Sequence, residues 1–349
     1  MSDVGGMREA LGTGKKDALA WVFALTRVSA LRARLGPPRG LAILAYHRIF
    51  DLDREKDFPY DPELVSASVA EFTWQMETLR RHFQPLHLSE VLRRLDEGRP
   101  LPPRAVAVTF DDGHLDNYTN AFPVLRKVGV PATIFLSTGY MDREETFWFD
   151  EVAFRLHRTP RHELELATLG LRLALGDAGQ RRGATEEVLA RMKAVPNTAR
   201  LAALRELGEE SRVDGTRGDA RSRPLTWQQV REMRDGGVEF GSHTVTHPIL
   251  SRLGDDDLRA ELGSSKRELE EQLGRPAECL AYPVGGETAY DERVVEVARA
   301  CGYRMALTYV SGPNPWPPGD RYRLRRLHVE RYTTRARFTG MLAFPGLFG

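Results

Sequence analysis

Short apolar runs alternate with amphipathic segments along most of the chain. Residues 41–46 (LAILAY) and 105–110 (AVAVTF) are apolar runs of the kind that strands form when both of their faces are buried. Between them, residues 69–83 place apolar side chains three or four positions apart, which predicts an amphipathic helix. A predicted helix over 118–128 and a predicted strand over 132–136 follow. This β–α–β rhythm indicates a parallel sheet or barrel.

The rhythm breaks between residues 140 and 222, where Arg and Glu are frequent and no buried strand is evident. We predict a mostly helical insertion there, with a polar and mobile end over 214–223. The rhythm resumes with a helix over 226–235 that Thr226 caps at its N-terminus. The later predicted elements alternate again: a strand over 238–240, a helix over 255–273, a strand over 279–282, a helix over 291–301, and strands over 305–307 and 327–329.

Composition and charge limit the classes of partner. Of the 349 residues, 41% are hydrophobic and 28% are charged, as in ordinary globular proteins. The formal net charge of +1 gives no overall field that would recruit nucleic acid or an anionic membrane, so we expect no nucleic-acid partner. The Arg-rich stretch 321–335 is expected to be a solvated strand and loop, with phosphate binding as the alternative. Cys279 and Cys301 lie in apolar segments and are expected to be buried free thiols.

The N-terminal segment, residues 1–39, is expected to be helical and to precede one larger domain, residues 40–349. Its apolar run, residues 18–25, is too short to span a bilayer and has no signal-peptide cleavage site after it. We expect an amphipathic helix over 18–35 that docks on the protein's own core, with peripheral membrane contact as the alternative. The missing signal predicts a cytoplasmic protein, located at the inner membrane face if the helix binds lipid.

Polar residues recur at the points where the predicted strands end. In α/β barrels the carboxyl ends of the strands converge on one face, where active sites are built. We therefore expect four clusters, distant along the chain, to be neighbours in space: His47, Asp111 with Asp112, Ser242 with His243, and Tyr282 with Pro283.

Two of these clusters have the composition of a metal site. His243 and His247 are four positions apart, and one helical turn would direct both imidazoles at the same cation. Alone, this pair is more often structural, and an Asp-Asp-Gly such as residues 111–113 is more often a turn or a helix cap. Together they offer two imidazoles and one carboxylate as ligands, and a second carboxylate to accept a proton from water.

Three motifs, in order along the chain, resemble those of the polysaccharide deacetylase family, also called the NodB-homology family or carbohydrate esterase family 4. They are residues 109–113 (TFDDG), 242–248 (SHTVTHP) and 282–285 (YPVG). Residues 44–48 (LAYHR) resemble the first strand of the branch that contains the exopolysaccharide deacetylases of biofilm systems. The resemblance implies an α/β fold, a distorted (β/α) barrel of the NodB type, as the catalytic domain over residues 40–349, with the helical insertion at about 140–222.

The resemblance also implies roles for individual residues. Asp111 would be the catalytic base, and Asp112, His243 and His247 would bind a divalent metal, usually zinc. His47 would be the general acid that protonates the departing amine, since an imidazole can donate a proton near neutral pH. His328 shares a face of its strand with Arg326 and is the reserve candidate for the acid.

The resemblance implies that the third motif would contribute to substrate and oxyanion binding through Tyr282, Pro283 and Val284. The backbone N–H of Val284 would hold the oxyanion together with the metal. Many family members carry an arginine in this motif that orients the base, whereas Ala281 stands near that position here. Arg326 resembles an arginine of the C-terminal strand that replaces it in other members.

The predicted function is therefore hydrolysis of N-acetyl groups on amino sugars of a polysaccharide or glycan precursor. One alternative is a deformylase or deacylase of a lipid-linked sugar, and another is a carbohydrate-binding protein without activity. We expect the aromatic residues 147–149 to anchor the core of the insertion, although a wall that stacks on sugars is the alternative. Trp316, in a Pro-rich loop, is the better candidate for lining a substrate groove.

Overall fold

The computed structural model describes residues 40–52, 58–214 and 220–348. The strands in chain order are β1 (Gly40–Tyr46), β2 (Arg48–Ile49), β3 (Val65–Ala67), β4 (Gln84–Pro85), β5 (Ala105–Phe110), β6 (Thr133–Leu136), β7 (Glu163–Leu166), β8 (Leu171–Ala174), β9 (Glu239–Ser242), β10 (Cys279–Ala281), β11 (Met305–Ser311), β12 (Asn314–Pro315) and β13 (Leu324–His328). Seven of these strands are parallel neighbours in the order β1–β13–β11–β10–β9–β6–β5, and β5 pairs back with β1. They form a closed barrel, which confirms the predicted fold class.

The described helices pack against the barrel or form the insertion. In chain order they are α1 (Val69–His82), α2 (Leu88–Asp96), α3 (Phe122–Val128), α4 (Trp148–Arg158), α5 (Ala178–Ala194), α6 (Asn197–Glu210), α7 (Trp227–Asp235), α8 (Asp255–Leu273), α9 (Glu292–Ala300), α10 (Arg335–Ala343) and α11 (Pro345–Phe348). The predicted cap of α7 is confirmed, since Thr226 forms a capping box with Gln229. The predicted helix over 255–273 coincides with α8 and ends at Gly274 in the left-handed conformation.

Side chains alternate between the interior of the barrel and the helices around it. Leu41 and Ile43 of β1 pack with inward-facing residues of the other strands, whereas Ala42 packs in the outer core that contains the helices. The same alternation, continued past the ends of β1 and β5, directs His47 and Asp111 into the mouth of the barrel. The strand pattern thus determines where the candidate residues lie.

The insertion has its own apolar core, formed by α4, α5, α6 and a hairpin. The expectation that it contains no strand is wrong, because β7 and β8 pair antiparallel with alternate residues buried. Four leucines supply the buried face of this hairpin: Leu164, Leu166, Leu171 and Leu173. Of the predicted mobile end, residues 215–219 lie outside the described residues, and Ala220–Ser222 is a short 3-10 helix.

Trp316 lies at the opposite end of the barrel from the candidate residues. Its neighbour Pro315 pairs with Gly40 at the start of β1, whereas His47 follows the end of that strand. The indole N–H of Trp316 donates to the carbonyl of Arg99 over 3.0 Å. The prediction that Trp316 lines the substrate groove is therefore wrong, because β12 turns back toward the base of the barrel.

Other expectations have mixed outcomes. The predicted N-terminal helix over 18–35 lies outside the described residues, and none of the helices described from residue 58 onward is long and apolar enough to cross a membrane. Both cysteines are free thiols; Cys279 is buried and Cys301 is half-buried. In the Arg-rich stretch, Arg321 and Arg335 form surface ion pairs with carboxylates, as expected, but the expectation of a solvated strand is wrong for Arg326, which is fully buried in β13.

Candidate active site

Asp111 and Arg326 form a buried pair at the carboxyl end of the barrel. Asp111 follows β5, and its backbone N–H donates to the carbonyl of Tyr46 in the neighbouring strand. The Arg326 guanidinium donates to both Asp111 oxygens over 2.7 Å, and its Nε donates to the carbonyl of Thr308. Burial raises the pKa of Asp111, but the positive charge of Arg326 and its hydrogen bonds to the carboxylate outweigh it and hold the pKa below its ordinary value. Asp111 is therefore an oriented, ionised carboxylate.

His47 follows β1, and its Nε2 lies 4.0 Å from Asp111 Oδ2. Burial lowers the pKa of His47 to about 4; the negative charge of Asp111 opposes this shift and the positive charge of Arg326 adds to it. The imidazole is therefore neutral near pH 7. The role of His47 as general acid stays a prediction, and it requires the imidazole to gain a proton during turnover.

His328 is the last residue of β13 and lies beside the same cluster. Its ring stacks on Tyr309 with centroids 3.6 Å apart, and the Tyr309 ring meets His47 edge-on at 5.5 Å. Burial lowers the pKa of His328 to about 3, with the positive charge of Arg326 adding to the shift. Tyr309 thus lies between the two candidate acids, and His47 is the one with an ion-pair distance to Asp111.

Asp112 turns away from Asp111 because the backbone leaves the strand at this point. Asp112 adopts a φ of 73° and Gly113 a φ of 91°, both in the left-handed region. A Cβ added to Gly113 would lie 2.6 Å from Leu136 Cδ2, so this turn has room only for glycine. The two adjacent carboxylates therefore face different partners, as the sequence predicted.

His243 and His247 lie on a loop after β9 and not on a helical turn. Thr244 and His247 adopt φ values of 70° and 54°, which bend the loop back on itself. Glu261 of α8 accepts the backbone N–H groups of Val245 and Thr246, which holds this bend. The helical prediction is wrong because these left-handed residues and Glu261 replace the bonds of a helix, but the two rings still meet, with centroids 4.8 Å apart.

These residues fit a divalent metal ion. Asp112 Oδ1 lies 3.6 Å from His243 Nε2 and 3.4 Å from His247 Nε2, and all three donor atoms lie within 4.8 Å of one another. Asp112 Oδ1 is buried and has no hydrogen-bond partner among the described residues. His243 Nδ1 lies 2.8 Å from the carbonyl of Ala281, which assigns the proton to Nδ1 and leaves the Nε2 lone pair for a cation.

The protonation states agree with this fit. Burial lowers the pKa of His243 and that of His247, so both imidazoles are neutral, as metal ligands must be. Burial, together with the negative charges of Asp111 and Asp150, raises the pKa of Asp112 well above its ordinary value. A cation at this position would reverse that effect. The cluster therefore has the donors of a metal site and one buried oxygen without another partner.

The residues of the third motif have different roles, some in the packing of the barrel and one at the candidate site. Tyr282 is buried; its N–H donates to the carbonyl of Leu307, and its hydroxyl donates to the carbonyl of Tyr322 over 3.1 Å. Both donors of Tyr282 are therefore used within the barrel, and Pro283, also buried, has no N–H. Val284 adopts a φ of 62°, which a β-branched residue rarely does. Such strain is typical of functional positions, and Val284 is the one residue of this motif with a free backbone donor among those described.

A family model described as polysaccharide deacetylase matches residues 98–306, which is more than half of the chain. The chain belongs to this family. The resemblance of the motifs is thereby confirmed, and so is the prediction of a deacetylase at the level of the family.

The chain is also similar to individual members of known sequence or structure. YxkH of Bacillus subtilis is 24% identical over 293 residues, which are 84% of this chain and 72% of that protein. The poly-β-1,6-N-acetyl-D-glucosamine N-deacetylase of Staphylococcus epidermidis is 37% identical over 105 residues, 28% of this chain and 36% of that protein. The solved Streptococcus pyogenes deacetylase PplD has a TM-score of 0.57 at 21% identity, and the match covers 85% of this chain and 95% of that chain. The last likeness supports the fold.

The deacetylase site also contains His114 and Asp150, which the sequence analysis did not single out, and it is contacted by Trp148, which the sequence analysis assigned to the core of the insertion. His114 is fully buried, with Nδ1 3.9 Å from Asp112 Oδ2 and Nε2 3.1 Å from Asp150 Oδ2. Trp148 of the insertion donates its indole N–H to the carbonyl of His247 over 2.9 Å. Residues 147–149 are buried, as the core interpretation expected, but they also contact the metal site. Their position depends on how the insertion docks, which no local pattern reveals.

Proposed function

We propose that this chain is a metal-dependent hydrolase that removes N-acetyl groups from the amino sugars of a polysaccharide. One observation carries the proposal. Asp111, held on both oxygens by Arg326, lies 4.0 Å from His243 Nε2 and beside the buried cluster of Asp112, His243 and His247. An oriented base next to a three-ligand metal site is the machinery that hydrolysis of an amide requires.

We assign zinc as the ion to test first. Two imidazole nitrogens and one carboxylate oxygen are the donor set of catalytic zinc sites, which keep a further position open. Other divalent ions accept the same donors, so cobalt and nickel belong in the comparison. When bound, the ion polarises the amide carbonyl and lowers the pKa of a coordinated water toward neutrality.

Asp111 accepts the proton of the attacking water in this proposal. Because Arg326 keeps the carboxylate ionised, the base is ready over the whole neutral range. Oδ2 is the accepting atom, since it lies 4.0 Å from Nε2 of both His47 and His243 and therefore faces the space between them. The water oxygen then forms the new bond to the acetyl carbon.

His47 passes a proton to the departing amine nitrogen. The free protein holds His47 neutral, with its pKa lowered to about 4 by burial, so the proton must be gained during turnover. The proton that Asp111 has taken is the nearest source, 4.0 Å away. The carbon–nitrogen bond then breaks and leaves the amine and acetic acid, which releases its remaining proton to the amine or to solvent. Val284, through its backbone N–H, stabilises the oxyanion of the tetrahedral intermediate.

The substrate is proposed from the relatives. Similar proteins from Staphylococcus epidermidis and Escherichia coli carry the name poly-β-1,6-N-acetyl-D-glucosamine N-deacetylase, although the second match covers 15% of that protein. A β-1,6-linked oligomer of N-acetylglucosamine is accordingly the first substrate to test. A β-1,4-linked oligomer of the same length controls for linkage, and an N-acetylglucosaminyl lipid tests the lipid-linked alternative.

The test measures acetate release by the full chain after chelation and reloading with zinc. Asp111→Asn should lower kcat by about 10²–10⁴-fold, because the amide cannot accept the proton, while the zinc content stays at one ion per chain. Asp256→Asn, at an exposed carboxylate of α8, is the matched control and should leave kcat unchanged. A fully active Asp111→Asn variant, or no acetate from any acetylated sugar, would overturn the proposal.

A further inference from the structure

The insertion reaches the metal site through the first turn of α4. Trp148, Phe149 and Asp150 are consecutive residues of this turn, and all three are buried. Trp148 and Phe149 contact the candidate ligand His247, and Asp150 contacts His114, which faces the candidate ligand Asp112. Through these contacts the insertion, which has its own core, packs against the barrel at the candidate metal site.

Trp148 and Phe149 act on His247. The Trp148 indole N–H donates to the His247 carbonyl over 2.9 Å, and the Phe149 ring meets the imidazole edge-on with centroids 5.0 Å apart. Arg200 of α6 lies over the Trp148 ring at 4.8 Å and supports it from the far side. Because His247 lies on a bent loop with a positive φ, these contacts fix both its backbone and its ring.

Asp150 acts on Asp112 through His114. The two oxygens of Asp112 face opposite sides: Oδ1 faces the imidazoles of His243 and His247, and Oδ2 faces His114 Nδ1 at 3.9 Å. Asp150 Oδ2 lies 3.1 Å from His114 Nε2, within hydrogen-bond distance, and this contact directs the other ring nitrogen, which has no hydrogen-bond partner among the described residues, toward Asp112. His114 and Asp150 are both fully buried, and neither ring nor carboxylate can turn without losing this contact.

We infer that Trp148, Phe149 and Asp150 position two of the three metal ligands, so that the insertion is a component of the metal site. The inference rests on the proposed function, since it concerns the same ion. Its physical basis is that partners behind the ligands set their orientation and typically contribute about 10–100-fold in metal affinity. Trp148, Phe149 and Asp150 are positioning residues here, because all three are buried and act through His247 or His114.

The test measures zinc affinity of the full chain by competition with a chromogenic chelator. Asp150→Asn and Trp148→Phe should each weaken zinc binding by about 10–100-fold. The matched controls are Glu151→Gln, the neighbouring carboxylate, which bonds Arg155, and Trp227→Phe, a buried tryptophan of the barrel core. Both controls should keep the affinity of the wild type. The thermal midpoint in chelator shows whether each metal-free variant folds.

A double-mutant cycle separates positioning from a general loss of structure. If Asp150 acts through His114, adding Asp150→Asn to His114→Gln should weaken binding no further than His114→Gln alone. The visible spectrum of the cobalt-loaded protein should change in Asp150→Asn and not in Glu151→Gln. Wild-type zinc affinity in both Asp150→Asn and Trp148→Phe would overturn this inference alone, whereas a wild type that binds no divalent ion would overturn it together with the proposed function.

Discussion

Both oxygens of Asp111 accept hydrogen bonds from Arg326, and the two side chains are 2% and 0% exposed. The geometry of this pair contributes as much as its charge, because a planar guanidinium donates two parallel hydrogen bonds to a carboxylate and an ammonium group cannot. The pair links β5 with β13, which are not neighbours in the barrel order. It therefore orients the base and joins two strands that do not pair with each other.

Replacing Arg326 by Met should destabilise the protein by about 3–5 kcal/mol, because the carboxylate of Asp111 would remain buried without its partner. In the wild type the pKa of Asp111 is lowered, so its stabilising effect is present above the unfolded value and is lost as the pH falls through the folded one. Without Arg326 the pKa rises, and the acidic limb of the kcat/KM profile should move to higher pH. Urea unfolding and the pH profile measure the two effects.

Arg325→Met is the control for that substitution. Arg325 is the exposed neighbour of Arg326 in the same strand, so its loss should change neither stability nor the pH profile. Arg326→Lys should behave more like Arg326→Met than like the wild type, since it keeps the charge and loses the paired hydrogen bonds. A fully active Arg326→Lys would contradict the orienting role.

His47 should make the stability of the metal-free protein depend on pH between about 4 and 6.5. Its folded pKa of about 4 lies below the ordinary value of 6.5, so in this range the unfolded chain binds a proton that the folded chain does not. Stability therefore falls as the pH is lowered, and His47 contributes about 3 kcal/mol of that loss at most. Urea unfolding of His47→Gln should show a shallower decline, while His162→Gln, at an exposed histidine, should follow the wild type.

Gly113→Ala should cost more stability than Gly98→Ala. Both glycines have a positive φ, and a Cβ at Gly98 meets nothing within 4 Å, so about 1–2 kcal/mol is expected there from the backbone alone. At Gly113 the Cβ would lie 2.6 Å from Leu136 Cδ2, which adds about 1–3 kcal/mol of overpacking. Zinc affinity should also fall in Gly113→Ala, because Asp112 precedes the displaced turn. Equal unfolding energies for the two variants would show that the turn can relax.

Tyr282→Phe should lower stability and leave catalysis intact. The hydroxyl of Tyr282 donates to the carbonyl of Tyr322, and removing it leaves a buried acceptor unpaired, at a cost of about 1–2 kcal/mol. Tyr303→Phe is the matched variant, since that buried hydroxyl donates to the carbonyl of Leu262. Both should keep the kcat/KM of the wild type on the acetylated oligomer. A loss confined to Tyr282→Phe would place its hydroxyl on the substrate.

Local patterns predicted most of the barrel because its strands are buried on both faces and therefore read as apolar runs. Helix α8 and the cap of α7 were also predicted, since caps and glycine stops are local signals. The hairpin of β7 and β8 was not, because each strand has only four residues and alternates leucines with polar or small residues. Such short alternation does not separate a strand from the turn of a helix.

The candidate ligands were found from their order along the chain, but their local geometry was not. The histidine pair was assigned to a helical turn, and Glu261 of α8 instead holds the loop in a bend with Thr244 and His247 at positive φ. A helical turn and the observed bent loop both bring the two imidazoles together, so the predicted set of metal donors is the same for either backbone. Backbone conformation at such positions depends on a partner that lies elsewhere in the sequence.

The sequence by itself determined which donors exist and which strand each one follows, because both depend on residues that are neighbours in the chain. The sequence already suggested Arg326 as the arginine that orients the base, but only the tertiary structure shows that it donates to both Asp111 oxygens. Only the tertiary structure decided that α4 of the insertion lies behind His247 and Asp112, and that the Tyr282 hydroxyl turns into the core. These contacts form where segments that are distant in the chain pack together, and the free energy of that packing depends on both segments. The sequence pattern of one segment therefore does not predict them.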